Sequence, residues 1–109
     1  MSGADEFAGA LRARISLFRR DRARDAAGGA AGGWTPLGQR WAAIVPARVD
    51  PGEIGEAADP RTAWTVLLRY TDVDPGDRLD WGARRLRVRA VIFDPRTPDR
   101  LTLDCEEER

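Results

Sequence analysis

Apolar and polar residues alternate in short runs along most of this chain, and clusters of Gly, Pro and Asp interrupt the runs. A period of two places successive side chains on opposite faces of a strand, so the pattern predicts an all-β fold. The first strand is predicted over residues 11–19, with Leu11, Ala13, Ile15 and Leu17 on one face and Arg12, Arg14 and Ser16 on the other. Phe18 breaks that alternation and is read as covering a barrel edge. Residues 40–48 form the second. There Trp41, Ala43 and Val45 share one face and Ala42 and Ile44 the other, a pattern that fits cover on both sides, while Pro46 marks an edge or the strand's end. The third, residues 63–70, alternates Trp64, Val66, Leu68 and Tyr70 against Thr65, Leu67 and Arg69. A turn centred on Pro75-Gly76 leads to a short fourth strand, residues 78–81, with Leu79 and Trp81 inward, and Gly82 punctuates a tight hairpin. The fifth strand, residues 84–93, sets Leu86, Val88, Ala90 and Ile92 against Arg85, Arg87 and Arg89. The sixth, residues 100–106, turns Leu101, Leu103 and Cys105 inward, and a solvated tail follows from Glu107.

Six short strands with a consistent inward face predict a small antiparallel β-barrel or sandwich with two long loops, residues 20–33 and 49–61. The first loop opens with mixed charge and ends in an Ala/Gly tract, a composition that cannot bury enough surface to order itself. The second carries Pro51, Gly52, Gly55 and Pro60. Single helical turns are expected at residues 4–10 and 53–58. A length of 109 residues is that of one domain, so one core is expected over residues 1–109.

Composition then narrows the chemistry. The 18 basic residues balance 18 acidic ones, and the sequence shows every basic residue to be arginine. A zero net charge argues against a general nucleic-acid binder. There is no histidine, which removes the usual general base, the Ser-His and Cys-His nucleophile systems and the commonest metal ligand. Cys105 is the one cysteine, so neither an internal disulfide nor a cysteine-built zinc site can form, and it reads as a small buried residue. No catalytic residue, metal or cofactor is assigned. Asp5 and Glu6 near the start read against a signal peptide, and no stretch reaches membrane-spanning length, so a soluble protein made in a reducing cytoplasm is expected.

Three features remain as functional candidates. Arg85, Arg87 and Arg89 stand in line at strand spacing and could contact nucleic acid or carboxylates; the plainer reading is an outer face paired with acidic neighbours such as Asp104 and Glu106. Asp50, Glu53, Glu56 and Asp59 make the second loop acidic, and their spacing is unlike a calcium loop. Like charge repels phosphate, so such a loop could line a passage for DNA without holding it. Trp34, Trp41, Trp64 and Trp81 read as core packing or as anchors of a subunit interface.

The order of the elements carries a resemblance. Gly9-Ala10-Leu11-Arg12 leads into Arg14-Ile15; a Gly-rich loop ends at Trp34; Arg40-Trp41-Ala42-Ala43-Ile44 opens a strand; Thr65 to Tyr70 follows. Then come Arg78-Leu79, Trp81-Gly82, Leu86-Arg87-Val88 and the closing Leu101-Thr102-Leu103-Asp104-Cys105-Glu106. Over residues 8–106 the chain resembles the phage head–tail joining family, also called head–tail adaptor or head-completion (stopper) proteins. It departs at Leu86, a position often aromatic in that family, and in its Ala/Gly-rich first loop.

The resemblance implies a small β-barrel with long loops that assembles as a ring of identical subunits. A portal/adaptor ring would lie above and a tail terminator or tail tube below, with packaged double-stranded DNA passing through and no membrane involved. The loop holding Asp50, Glu53, Glu56 and Asp59 would face the channel. Arg20, Arg22, Arg24, Arg85, Arg87 and Arg89 would meet neighbouring subunits or rings. The setting would be the neck of a phage, prophage or gene transfer agent particle assembled in the bacterial cytoplasm. The alternative is a monomeric β-barrel binding module for oligonucleotides or sugars, acting through the same arginine row.

Overall fold

Strand pairing closes on itself in the computed structural model, which describes residues 3–21, 33–47 and 62–108, with the backbone alone for residues 3–6. A short helix, α1 (Gly3–Ala10), precedes six strands: β1 (Ala13–Arg20), β2 (Trp34–Pro46), β3 (Ala63–Arg69), β4 (Arg78–Trp81), β5 (Arg84–Ile92) and β6 (Arg100–Glu107). They form a closed barrel in the order β1-β2-β3-β6-β5-β4, every neighbouring pair antiparallel. Of the two architectures predicted, the barrel is the one present. Closure removes free sheet edges, and a barrel of so few strands has room inside only for side chains.

Those side chains are the predicted inward sets. Ile15, Leu17, Val66, Leu68, Leu79, Leu86, Val88, Leu101, Leu103 and Cys105 are all almost fully buried. Each large aliphatic contributes about 1.5–3 kcal/mol on leaving water.

Five details differ from the sequence-based expectations. Leu11 directly follows α1, its N–H donating to the Ala8 carbonyl, and β1 begins only at Ala13. The first loop is shorter than predicted, because Arg20 pairs with Trp34 and the Asp21 N–H donates to the Gly33 carbonyl at 2.9 Å. β2 is covered on one side and not on both: Ala42 is fully buried and Ile44 packs on the core, while Trp41 and Val45 are 50% and 53% exposed. Ala42 lies opposite Ala13 on one side and Leu68 on the other, and this shared register turns it inward. In β5 a bulge between Val88 and Ala90 re-phases the strand, so Val91 packs on the core and Ile92 is exposed. The tail differs too, since Glu107 is part of β6. Residues 53–58, expected to hold a helical turn, lie outside the described residues.

A second bulge, between Leu17 and Phe18 against β2, leaves Leu37 as the extra residue beside Gly38, whose φ is +108°. That backbone region strains any residue with a Cβ, and a Cβ here would stand 2.9 Å from Arg40 Nη1. Gly38→Ala is therefore expected to cost about 1–2 kcal/mol. Urea unfolding measures it; an unchanged midpoint would show that the bulge relaxes freely.

Candidate functional site

The barrel turns two unlike faces outward. On the first, register aligns Phe18 of β1 with Arg78 of β4 and Arg87 of β5, and beside them Ser16, Asp80 and Arg85. Leu17, Leu79 and Leu86 point inward between these rows, so the rows themselves point out. Trp34 adds its ring at the end of the face. The guanidiniums of Arg20, Arg78 and Arg87 lie 5.4, 5.5 and 5.0 Å from its centre, and Arg78 lies 4.4 Å from Phe18. Cations over aromatic rings are held by the ring quadrupole.

Four arginines of this face have acidic partners. Arg78 bonds Asp80 at 2.9 Å, Arg87 bonds Glu108 at 2.8 Å and Arg89 bonds Glu106 at 2.8 Å, while Arg85 reaches Asp80 only at 3.8 Å. Asp80 holds the Arg78 guanidinium above its usual range, chiefly by direct hydrogen bonding. The plainer reading of Arg85, Arg87 and Arg89 thus describes this face, with Asp80, Glu106 and Glu108 as partners and not Asp104. Arg89 occupies the bulge, so the row is bent. Arg20 lies at the end of β1, while Arg22, Arg24, Asp50, Glu53, Glu56 and Asp59 lie outside the described residues.

The second face covers β2, β3, β6 and the end of β5. One row runs Ala43, Leu67, Thr102, Ile92; the next runs Val45, Thr65, Asp104, Ala90. Trp41 adjoins the first row, and the exposed rings of Tyr70 and Phe93 meet edge to face at 5.7 Å. At one end Phe7 of α1 is buried, with the Arg69 and Arg100 guanidiniums 5.6 and 4.0 Å from its ring.

The two ends of the barrel are closed differently. Trp64 and Trp81 meet edge to face at 5.2 Å, with Arg84 5.5 and 5.7 Å from their rings. Glu107 accepts from the Trp64 indole N–H at 3.0 Å and from Arg84 at 2.9 Å. At the other end Arg19 donates to Asp77 at 2.9 Å and to Asp72 at 3.2 Å, with Asp74 at 3.4 Å, and hydrogen bonding to Asp77 leads the upward shift of its guanidinium. Core packing, one of the two roles expected of the four tryptophans, holds for Trp64 and Trp81, which close an end, and not for Trp34 and Trp41, which are on the exterior. The Arg19–Asp77 pair is not legible in the sequence, because Asp77 looks like ordinary turn punctuation until the fold brings β1 beside it.

The described residues contain no group of three or more His, Cys, Asp or Glu side chains placed to hold a metal ion. Among them no helix is long and apolar enough to cross a membrane. Burial, aided by Asp104, pushes the Cys105 thiol up to about 12. A raised thiol favours the fold fully below its unfolded value of about 8.5, and that contribution is lost as pH climbs through about 12. A thiol reagent at pH 8 is therefore expected to label Cys105 only as fast as the protein unfolds. Rapid stoichiometric labelling of the folded chain would contradict this.

Solved structures share the fold. The solution structure of protein SF1141 from Shigella flexneri 2a superposes with a TM-score of 0.66 at 24% identity, covering 91% of this chain and 94% of that one. A chain of the virion of a native gene transfer agent particle superposes with a TM-score of 0.63 at 24% identity, covering 90% and 96%. No curated protein matches the chain. Residues 8–108, nearly its whole length and both of the faces just described, match the phage head completion proteins, and the chain belongs to that family.

Proposed function

We propose that this protein is a structural subunit of the neck of a tailed-phage-type particle, where copies form a ring between the portal/adaptor ring and the tail. The observation that carries the reading is the head completion family match over residues 8–108. The architecture supports it: a closed barrel with capped ends and a buried thiol offers outer surfaces for assembly. The ring would dock the tail terminator or tail tube, and packaged DNA would pass through it.

Within that ring the acidic segment with Asp50, Glu53, Glu56 and Asp59 would face the channel, where like charge keeps DNA from adhering. Arg20, Arg22, Arg24, Arg85, Arg87 and Arg89 would meet neighbouring subunits.

Deleting the gene from a particle-producing cell tests the role. Filled heads and separate tails, rejoined when the gene is restored, are the expected result; normal tailed particles would overturn it. For the channel, Ala or Arg at Glu53 and Glu56 is expected to change DNA retention in assembled particles without unfolding the subunit. Unchanged retention would remove the loop from the channel.

A further inference from the structure

The two outer faces are centred on opposite strand pairs of the barrel and meet along β5, where Arg89 directly precedes Ala90 and Ile92 follows three residues on. In the closed order β1-β2-β3-β6-β5-β4, the β3–β6 pair at the centre of the apolar face is diametrically across from the β4–β1 pair at the centre of the arginine–aromatic face. We propose that they are the two halves of one contact: the apolar face of each copy seats on the arginine–aromatic face of the next. This inference rests on the neck-ring reading and names the surfaces that would build it.

Area argues that the apolar face is covered. Trp41, Val45, Tyr70, Ile92 and Phe93 are each about half exposed or more. Together they leave roughly 500 Å² of apolar surface open, at the upper end of what a monomer exposes. One side of a stable protein interface buries about 800 Å², so this patch with its polar rim accounts for most of such a half.

Chemistry argues for the opposite face as the occupant. Arg85 and Arg89 have 55% and 53% of their side chains exposed, which leaves long apolar stems and flat guanidiniums available while their acid pairs stay in place. Those groups suit exposed rings such as Tyr70 and Phe93; Trp41 already carries Arg14 of its own chain, 4.9 Å from its ring, and shows the same pairing. Asp104 in the Val45 row adds an acid to receive an arginine. Two unlike faces meeting head to tail propagate into a ring or a chain, whereas an apolar face meeting its own copy stops at a dimer.

The test uses one variant per face: Val45→Glu with Ile92→Glu, and Arg85→Glu with Arg89→Glu. Circular dichroism checks that both fold. In sedimentation velocity up to about 1 mM, a range that detects contacts as weak as about 4 kcal/mol, the unaltered chain is expected to grow beyond a dimer. Each variant alone is expected to remain monomeric. Their equimolar mixture is expected to reach twice the monomer mass and stop, because one sound contact remains.

A second readout disturbs neither surface heavily. Copies carrying Ile92→Cys and copies carrying Arg85→Cys are joined by a short bismaleimide, and cross-linking between unlike copies is expected to exceed that between like copies at least tenfold. Dimers of the Arg85→Glu/Arg89→Glu variant alone would overturn the head-to-tail contact in favour of a self-paired apolar face. An unaltered chain that stays monomeric throughout, with no preference in cross-linking, would overturn it as well. The gene-deletion result is independent of both, so the neck role can stand while this contact falls.

Discussion

Leu103→Ala is expected to lower stability by about 3 kcal/mol, with a fall in Tm of roughly 10–25 °C. Leu103 is fully buried and lies opposite Val66 of β3 and Val91 of β5, so its side chain touches the core from the middle of the sheet. The transfer cost of the lost methyl and methylene groups is only part of the effect. The barrel is closed by backbone hydrogen bonds all the way round, and its walls cannot move in to fill the hole. The cavity cost is therefore retained nearly in full. Urea unfolding should show a lower midpoint with an unchanged slope. Ile92→Ala is the control: the same sheet, but a side chain 53% exposed, expected to change stability by no more than about 0.5 kcal/mol. A loss below about 1 kcal/mol for Leu103→Ala would mean that the barrel collapses onto the cavity.

Arg19→Met is expected to cost about 4 kcal/mol, and the cause is electrostatic. Asp77 is 3% exposed and accepts from Arg19 Nε at 3.1 Å and Nη2 at 2.9 Å, with the Asp74 N–H as a further donor at 2.8 Å. Removing the guanidinium leaves a buried carboxylate with one backbone partner. An unpaired buried charge costs more than the pair contributes, so the effect should be non-additive. Arg19→Met with Asp77→Ala is accordingly expected to be more stable than Arg19→Met alone, measured as a double-mutant cycle by urea unfolding. Two losses that simply add would show that Asp77 is better solvated than its burial indicates. The pair also ties the Asp74–Asp77 turn to the barrel, since Val88 donates to the Asp77 carbonyl and Gly76 to that of Val88. Local opening of that turn should therefore accompany the loss.

Much of this molecule is legible in the order of its residues. The fourth strand matches its predicted bounds, the inward set of the sixth is in the core, and so are Ile15 and Leu17 of the first and Val66 and Leu68 of the third, whereas Tyr70 at the end of the third is exposed. The alternation is strong there because a barrel this narrow buries one face of each strand completely. The reading fails where the period is interrupted. One added residue at Arg89 flips every side chain after it, so Ile92 is exposed and Val91 is inward. No local pattern separates Trp41 from Ala42 as the inward residue, because both faces of β2 carry apolar side chains.

The same division holds for the candidate site. Arg85, Arg87 and Arg89 were readable as an outer row, but the acids that neutralise them come from β4 and the end of β6. The convergence of Arg20, Arg78 and Arg87 on Trp34 joins β1 and β2 to the β4–β5 hairpin, two parts of the chain that are remote in sequence. The absence of histidine and the single cysteine already removed imidazole-based catalysis and an internal disulfide, and the sequence of strands was enough to show a β fold. Closure decided the rest: it chose barrel over sandwich, turned Trp41 outward, and set an apolar face across the barrel from an arginine face. Composition and period act locally. Which side of a strand meets which neighbour depends on register, and register is settled only when all six strands pair at once.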